Sequence, residues 1–97
     1  MFARVTLLQF QPDKADEGFD IVQNLIVPSI KEQNGFKGLL LLRDPKTGSA
    51  TTITLWASEA DMAATATGNY PNQVAKLTGL LSAQPTRDIY EVEDVSI

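Results

Sequence analysis

Hydrophobic and polar positions follow two different periods along this chain, and the changes from one to the other mark its elements. From Phe2 to Gln11 the period is two: Phe2, Leu8 and Phe10 fall on one side, Ala3, Val5 and Leu7 on the other. That pattern predicts a first strand with apolar residues on both faces. Pro12 ends it, because proline has no N–H to give to a ladder. Phe19, Val22, Ile26 and Ile30 then recur at helical spacing, with Ile21 and Leu25 beside them. Asp13 is the expected N-cap, and Asp16 and Glu17 follow in the first turn, where carboxylates suit the helix dipole. Pro28 interrupts the period and predicts a kinked helix or two segments. Asn34-Gly35 closes the helix as a C-cap does.

The period returns to two from Phe36 to Arg43, a second strand. Leu39 and Leu41 face one way, Leu40 and Leu42 the other. Asp44-Pro45-Lys46-Thr47-Gly48 is a hairpin connection whose proline and glycine set the turn dihedrals. A third strand, rich in β-branched residues, runs from about Thr51 to Ala57. Ser58 and Asp61 form an S-x-x-D capping box that opens a helix. Gly68-Asn69-Tyr70-Pro71 breaks that helix, and a further one carries Val74, Leu77, Leu80 and Leu81 on one face. Pro85 stops it, and Thr86 to Val95 is the last strand.

The order is strand, helix, strand, strand, helix, strand. With right-handed crossovers this is an α+β, ferredoxin-like βαββαβ fold: a four-stranded antiparallel sheet with its helices on one face. A leucine strand that is apolar on both faces needs cover on both. Helices supply one cover, and a second copy of the sheet is the economical candidate for the other. The expectation is therefore a homodimer joined through sheet faces.

Composition narrows the picture. The 97 residues, 43% of them hydrophobic, suffice for a single domain over 1–97 with one core. Eight basic residues against twelve acidic ones give a net charge of −4, and the basic ones form no cluster. That excludes the basic patches on which nucleic acid and anionic membranes rely. Cysteine and histidine are both absent. Disulfides, thiolate nucleophiles and the commonest zinc ligand, haem ligand and general base are thereby removed. Asp13, Asp16 and Glu17 lack the spacing of a calcium loop, so no metal site is expected. No apolar run approaches the ~20 residues of a membrane span. The first ten residues read as a strand rather than a basic leader, which makes the cytoplasm the default location.

Gly35-Phe36-Lys37-Gly38, the Asp44 to Gly48 turn, Ile53-Thr54-Leu55-Trp56, Ser58-Glu59-Ala60-Asp61, the Tyr70 region and Ile89-Tyr90-Glu91-Val92 together resemble the antibiotic biosynthesis monooxygenase family of dimeric α+β barrels. The resemblance covers nearly the whole chain. It implies a dimer, a site between sheet and helices, and cofactor-independent oxygenation of an electron-rich aromatic. It also places a tryptophan at the end of the third strand, where Trp56 stands. In the quinone-forming enzymes an asparagine occupies the position of Thr52, a tyrosine that of Met62, and an arginine the neighbourhood of Lys76 or Leu77. The haem-degrading branch has an asparagine at Leu7, a second tryptophan at Ala64 and a histidine ligand that this chain lacks.

Trp56, Thr52, Met62, Tyr70 and Asn69 are the candidate pocket-lining residues; none is assigned a catalytic role. Trp56 is either a core anchor with its indole N–H on a carbonyl or a wall that stacks on a flat substrate. Tyr70 is either a loop ring packed on the core or a hydroxyl at the pocket mouth. Asn69 suits a left-handed turn or orients a ligand. Thr52 shares parity with Trp56. Arg4 and Thr6 share a face with Leu8 and Phe10, and a buried Arg4 needs a partner, for which Glu91 or Glu93 is available. Its other reading is anion recognition in the cleft. Two functions stand side by side: an oxygenase acting on a phenol or hydroquinone, and a non-catalytic homodimer that binds a small molecule or joins an assembly.

Overall fold

The computed structural model of the chain describes residues 1–67 and 69–97, without the side chain of Asn69. Four strands, β1 (Phe2–Gln9), β2 (Phe36–Asp44), β3 (Ser49–Trp56) and β4 (Thr86–Glu91), form one sheet in the order β2-β3-β1-β4. Every pair is antiparallel. This is the ferredoxin-like α+β sheet predicted above, with the first and third strands at its centre.

Pro12 ends β1, but it does so through a 3₁₀ turn (Pro12–Lys14) that leads into α1 (Ala15–Ile21). Asp13 lies within that turn, and no side chain caps it. The proline occupies the turn's first position and supplies the pre-set φ that a cap would otherwise stabilise. The second proline has a gentler effect than a sharp break. A π-helical turn (Val22–Ile26) separates α1 from α2 (Val27–Lys31), with Pro28 in the first turn of α2. The π turn widens the helix just ahead of Pro28, where the proline ring and missing N–H would disturb a regular ladder. The widened turn keeps the run continuous, so Val22, Ile26, Val27 and Ile30 are all buried.

Gly35 has φ +80°, the left-handed exit expected of it, and its carbonyl accepts from the Ala57 N–H at 2.7 Å. A Cβ there would collide with the Asp61 carboxylate. At the hairpin, the Asp44 carboxylate accepts from the Lys46 N–H at 2.9 Å, and Gly48 closes the turn at φ +72°. Ser58 caps α3 (Glu59–Ala63), its hydroxyl accepting from the Asp61 N–H at 3.1 Å. A 3₁₀ turn (Ala64–Ala66) follows, then extended backbone at Thr67, then α4 (Asn69–Ala75) with Tyr70 and Pro71 in its first turn. The break expected at 68–71 thus lies at Thr67 in the described residues; Gly68 is outside them. The run after α4 is shorter than predicted: α4 ends at Ala75, and Thr78–Leu80 is a 3₁₀ turn. Leu77 still reaches the core and is buried.

The last strand also stops earlier than predicted, at Glu91 rather than Val95. It pairs with β1 alone, and β1 offers no residue beyond Phe2 in that ladder. Cross-strand register divides the sheet into two faces. Toward the helices lie Trp56 with Phe2 and Phe36, Thr54 with Arg4 and Leu39, Thr52 with Thr6 and Leu41, and Ala50 with Leu8. Phe10, Phe19, Val22, Ile30, Trp56 and Leu77 fill the core between them. The other face carries Leu42, Thr51 and Leu7 in one row and Leu40, Ile53 and Val5 in the next. Leu7, Leu40 and Leu42 are 41%, 56% and 50% exposed, so among the described residues nothing covers this apolar face.

Candidate functional site

The helix-side face of a sheet is normally apolar, because it meets the core. Here the two central strands put Arg4, Thr6, Thr52 and Thr54 on that face, all buried. The strand alternation demands it: Arg4 and Thr6 have the parity of Leu8, and Thr52 and Thr54 that of Trp56. The result is a polar seam beneath the helices, and each of its groups needs a partner. The Trp56 indole N–H donates to the Thr54 hydroxyl at 2.8 Å, and that hydroxyl donates to the Arg4 carbonyl at 3.4 Å. A hydroxyl, then, and not the expected carbonyl, satisfies the indole.

Arg4 is the centre of this seam. Its side chain rises from β1 toward the end of α3, where Nη1 donates to the Thr65 hydroxyl at 2.8 Å. Thr65 in turn donates to the Met62 carbonyl at 2.8 Å, near the end of α3. Two aromatic rings hold the guanidinium. Its Cζ lies 5.5 Å from the Trp56 ring centroid and 5.6 Å from that of Tyr70, both within cation–π range. The second terminal nitrogen, Nη2, is buried and has no hydrogen-bond partner among the described residues. The carboxylate partner expected from β4 does not materialise, because Ile89 is the β4 residue paired with Arg4. Burial pushes the Arg4 pKa down, the Tyr70 phenol beside it pushes back up, and the like charge of Arg87 lowers it again.

A cavity of about 610 Å³ lies over this arginine. That is within the range of about 300–1,000 Å³ usual for small-molecule sites. Arg4, Met62, Thr65 and Tyr70 line its buried part, and Val74 adds a half-buried aliphatic wall. Glu59, Ala63, Ala66, Arg87 and Ile89 are exposed and form its mouth. Register explains Arg87: it pairs with Thr6, the next helix-facing position after Arg4, so both arginines turn to the same cleft.

Of the residues predicted to line a pocket, Met62 and Tyr70 border this cavity. Trp56 and Thr52 are buried behind it; Trp56 backs the arginine that the cavity touches. Asn69 begins α4, and its side chain lies outside the described residues. Sequence reasoning missed Thr65 and Arg87. Strand alternation with Ile89 was the available signal for Arg87. None marked Thr65, whose role depends on a contact across 61 residues.

A four-stranded antiparallel α+β sheet with helices on one face defines the class: a ferredoxin-like domain, here with a ligand-sized cavity between sheet and helices. A model of the antibiotic biosynthesis monooxygenase family matches residues 1–70, and the chain belongs to that family. Solved structures share the fold along the full length. Rv0793 of Mycobacterium tuberculosis is 15% identical, with 99% of this chain and 98% of that one covered at a TM-score of 0.82. NE2512 of Nitrosomonas europaea, described as a protein of unknown function, is 18% identical, with 99% and 92% covered at 0.83. SnoaB of Streptomyces nogalater, a cofactor-independent oxygenase solved as its N63A mutant, is 16% identical, with 97% and 94% covered at 0.74. No curated protein matches.

Proposed function

We propose that this chain is an oxygenase that acts on a small electron-rich aromatic, a phenol or hydroquinone, in the cavity beneath α3 and α4. The observation that supports it most is that cavity. It is of ligand size, with Met62, Val74 and Ile89 as its apolar side, Arg4, Thr65 and Tyr70 as its inner polar groups, and Glu59 and Arg87 at its rim. Family membership and the fold shared with a cofactor-independent oxygenase point the same way. In such chemistry the substrate supplies the electrons. For an anthrone, the keto tautomer of a phenol, the ring-flanked CH₂ becomes a carbonyl: one atom of O₂ enters the product, and the other leaves as water with the two hydrogens. The protein's part is to hold the ring, exclude water and favour the electron-rich ionised form. Trp56 and Thr52 would support the arginine and the seam beneath it, while Met62 and Tyr70 would face the substrate.

We also propose that the open sheet face is covered by a second copy of the chain. Leu7, Leu40 and Leu42 lie in adjacent rows, and two such sheets packed face to face would bury them together. One observation favours the non-catalytic alternative. Among the described residues the only carboxylate on the cavity wall, Glu59, is at the exposed rim, and a general base is not otherwise evident. Oxygen uptake with anthrone-like and hydroquinone substrates separates the two. Uptake should occur with wild type and fall at least tenfold in Ala66→Trp, which fills the mouth at an exposed position. Absence of uptake across the panel would leave a binding protein.

A further inference from the structure

We propose that the cavity selects an oxyanion, a phenolate or carboxylate carried on its aromatic ligand, and that Arg4 is the residue that recognises it. The aromatic body of the ligand rests on the reading above; the charge preference rests on the arginine alone.

Arg4 is buried, at 8% exposure, yet Nη2 has no acceptor among the described residues. An unpaired buried cation is expensive, and proteins normally supply a carboxylate for it. Here the groups that perturb its charge are the Tyr70 phenol and a second cation, Arg87. The two rings at 5.5 and 5.6 Å support the charge electrostatically, but neither ring face accepts a guanidinium hydrogen bond of ordinary strength. They do hold the guanidinium in place, together with the bond from Nη1 to Thr65. A donor fixed in this way loses little entropy when an anion arrives. Two arginines on one cleft repel each other until that anion is bound. The apolar wall formed by Met62, Val74 and Ile89 accommodates a hydrocarbon body and cannot solvate a charge. Glu59 at the rim opposes a second negative charge there, which disfavours a phosphate ester or a dicarboxylate.

The arrangement also bears on the reaction. A chain without histidine has no ordinary base near neutral pH. A buried guanidinium can instead lower the pKa of the bound phenol, so that the ionised, electron-rich form accumulates in the site.

Equilibrium binding without oxygen tests this independently of turnover, so failure here and failure of oxygen uptake are distinguishable. Trp56, the only tryptophan, touches the arginine and provides a fluorescence signal, with calorimetry as a check. 1-Naphthoate against 1-naphthamide reads a carboxylate; 4-nitrophenolate against 4-nitroanisole reads a phenolate. At least one anion should bind about tenfold or more tightly than its neutral analogue, as a charge-assisted hydrogen bond implies. Arg4→Met, which replaces an unpaired cation by a side chain of similar length, should abolish that preference. The exposed Arg87→Gln keeps the test decisive even if Arg4→Met folds poorly, and should reduce the preference about two- to fivefold. Anions bound no more tightly than their neutral analogues, or a preference unchanged in both variants, would overturn the proposal.

Discussion

At the scale of single residues, the contact between Arg4 and Thr65 ties sheet to helix. Thr65 serves both ends of it, accepting from Nη1 and donating to the Met62 carbonyl. Thr65→Val keeps the shape but strips both buried groups of their partner. The expected cost is about 1–3 kcal/mol, read by urea unfolding. The cost should shrink in an Arg4→Met background, where one of the two stranded groups no longer exists. An equal cost in both backgrounds would show that the arginine does not depend on Thr65. Trp56 has a matching role from the other side of the guanidinium. Its burial, its bond to Thr54 and its 5.5 Å approach to Arg4 make it the support of a functional group rather than a wall of the cavity.

At the scale of elements, β2 poses the clearest question. Its inward leucines, Leu39 and Leu41, pack on the core, while Leu40 and Leu42 stand in solvent. If a second copy covers them, wild type sediments as a dimer, and Leu40→Asp with Leu42→Asp shifts it to monomer with its helical circular dichroism retained. A wild-type monomer at micromolar concentration would contradict the dimer. The elements themselves were largely legible in the chain, because each strand announces its parity and each turn its chemistry. Gly35 at φ +80° and the Ser58 cap follow directly from local residue chemistry. What was not legible depends on neighbours. Asp13 fails to cap because Pro12 already starts a turn, and β4 stops at Glu91 because its ladder with β1 ends there. The cavity was half legible: Met62 follows from the family resemblance, Tyr70 from its place at the helix break, and Arg4 from its parity with Leu8. Arg87 alternates with Ile89, but only the register of β4 against β1 turns it to the cleft, and Thr65 depends on a contact far apart in sequence that no local pattern encodes.

At the scale of the whole molecule, the charge balance and the cavity run in opposite directions. The chain is acidic overall, at −4, yet its ligand-sized cavity presents Arg4 and Arg87 against Glu59 alone. Net charge describes the surface as a whole, while a ligand in the cleft would meet the local charge. Arg4 is held below its ordinary pKa by burial, then by Arg87, with Tyr70 acting against both. An arginine starts so high that it stays a cation through neutral pH. The pH dependence of binding should therefore follow the ionisation of the ligand, rising as a phenol loses its proton. The colour change of 4-nitrophenol reports that ionisation in the site itself. The most direct test of Arg4 as the recognising charge is the apparent pKa of bound 4-nitrophenol in wild type and in Arg4→Met. A tenfold preference for the anion lowers that pKa by about one unit relative to free ligand, equivalent to about 1.4 kcal/mol. We expect that depression in wild type and its loss in Arg4→Met; an undepressed pKa in wild type, or the same depression in both proteins, would contradict it.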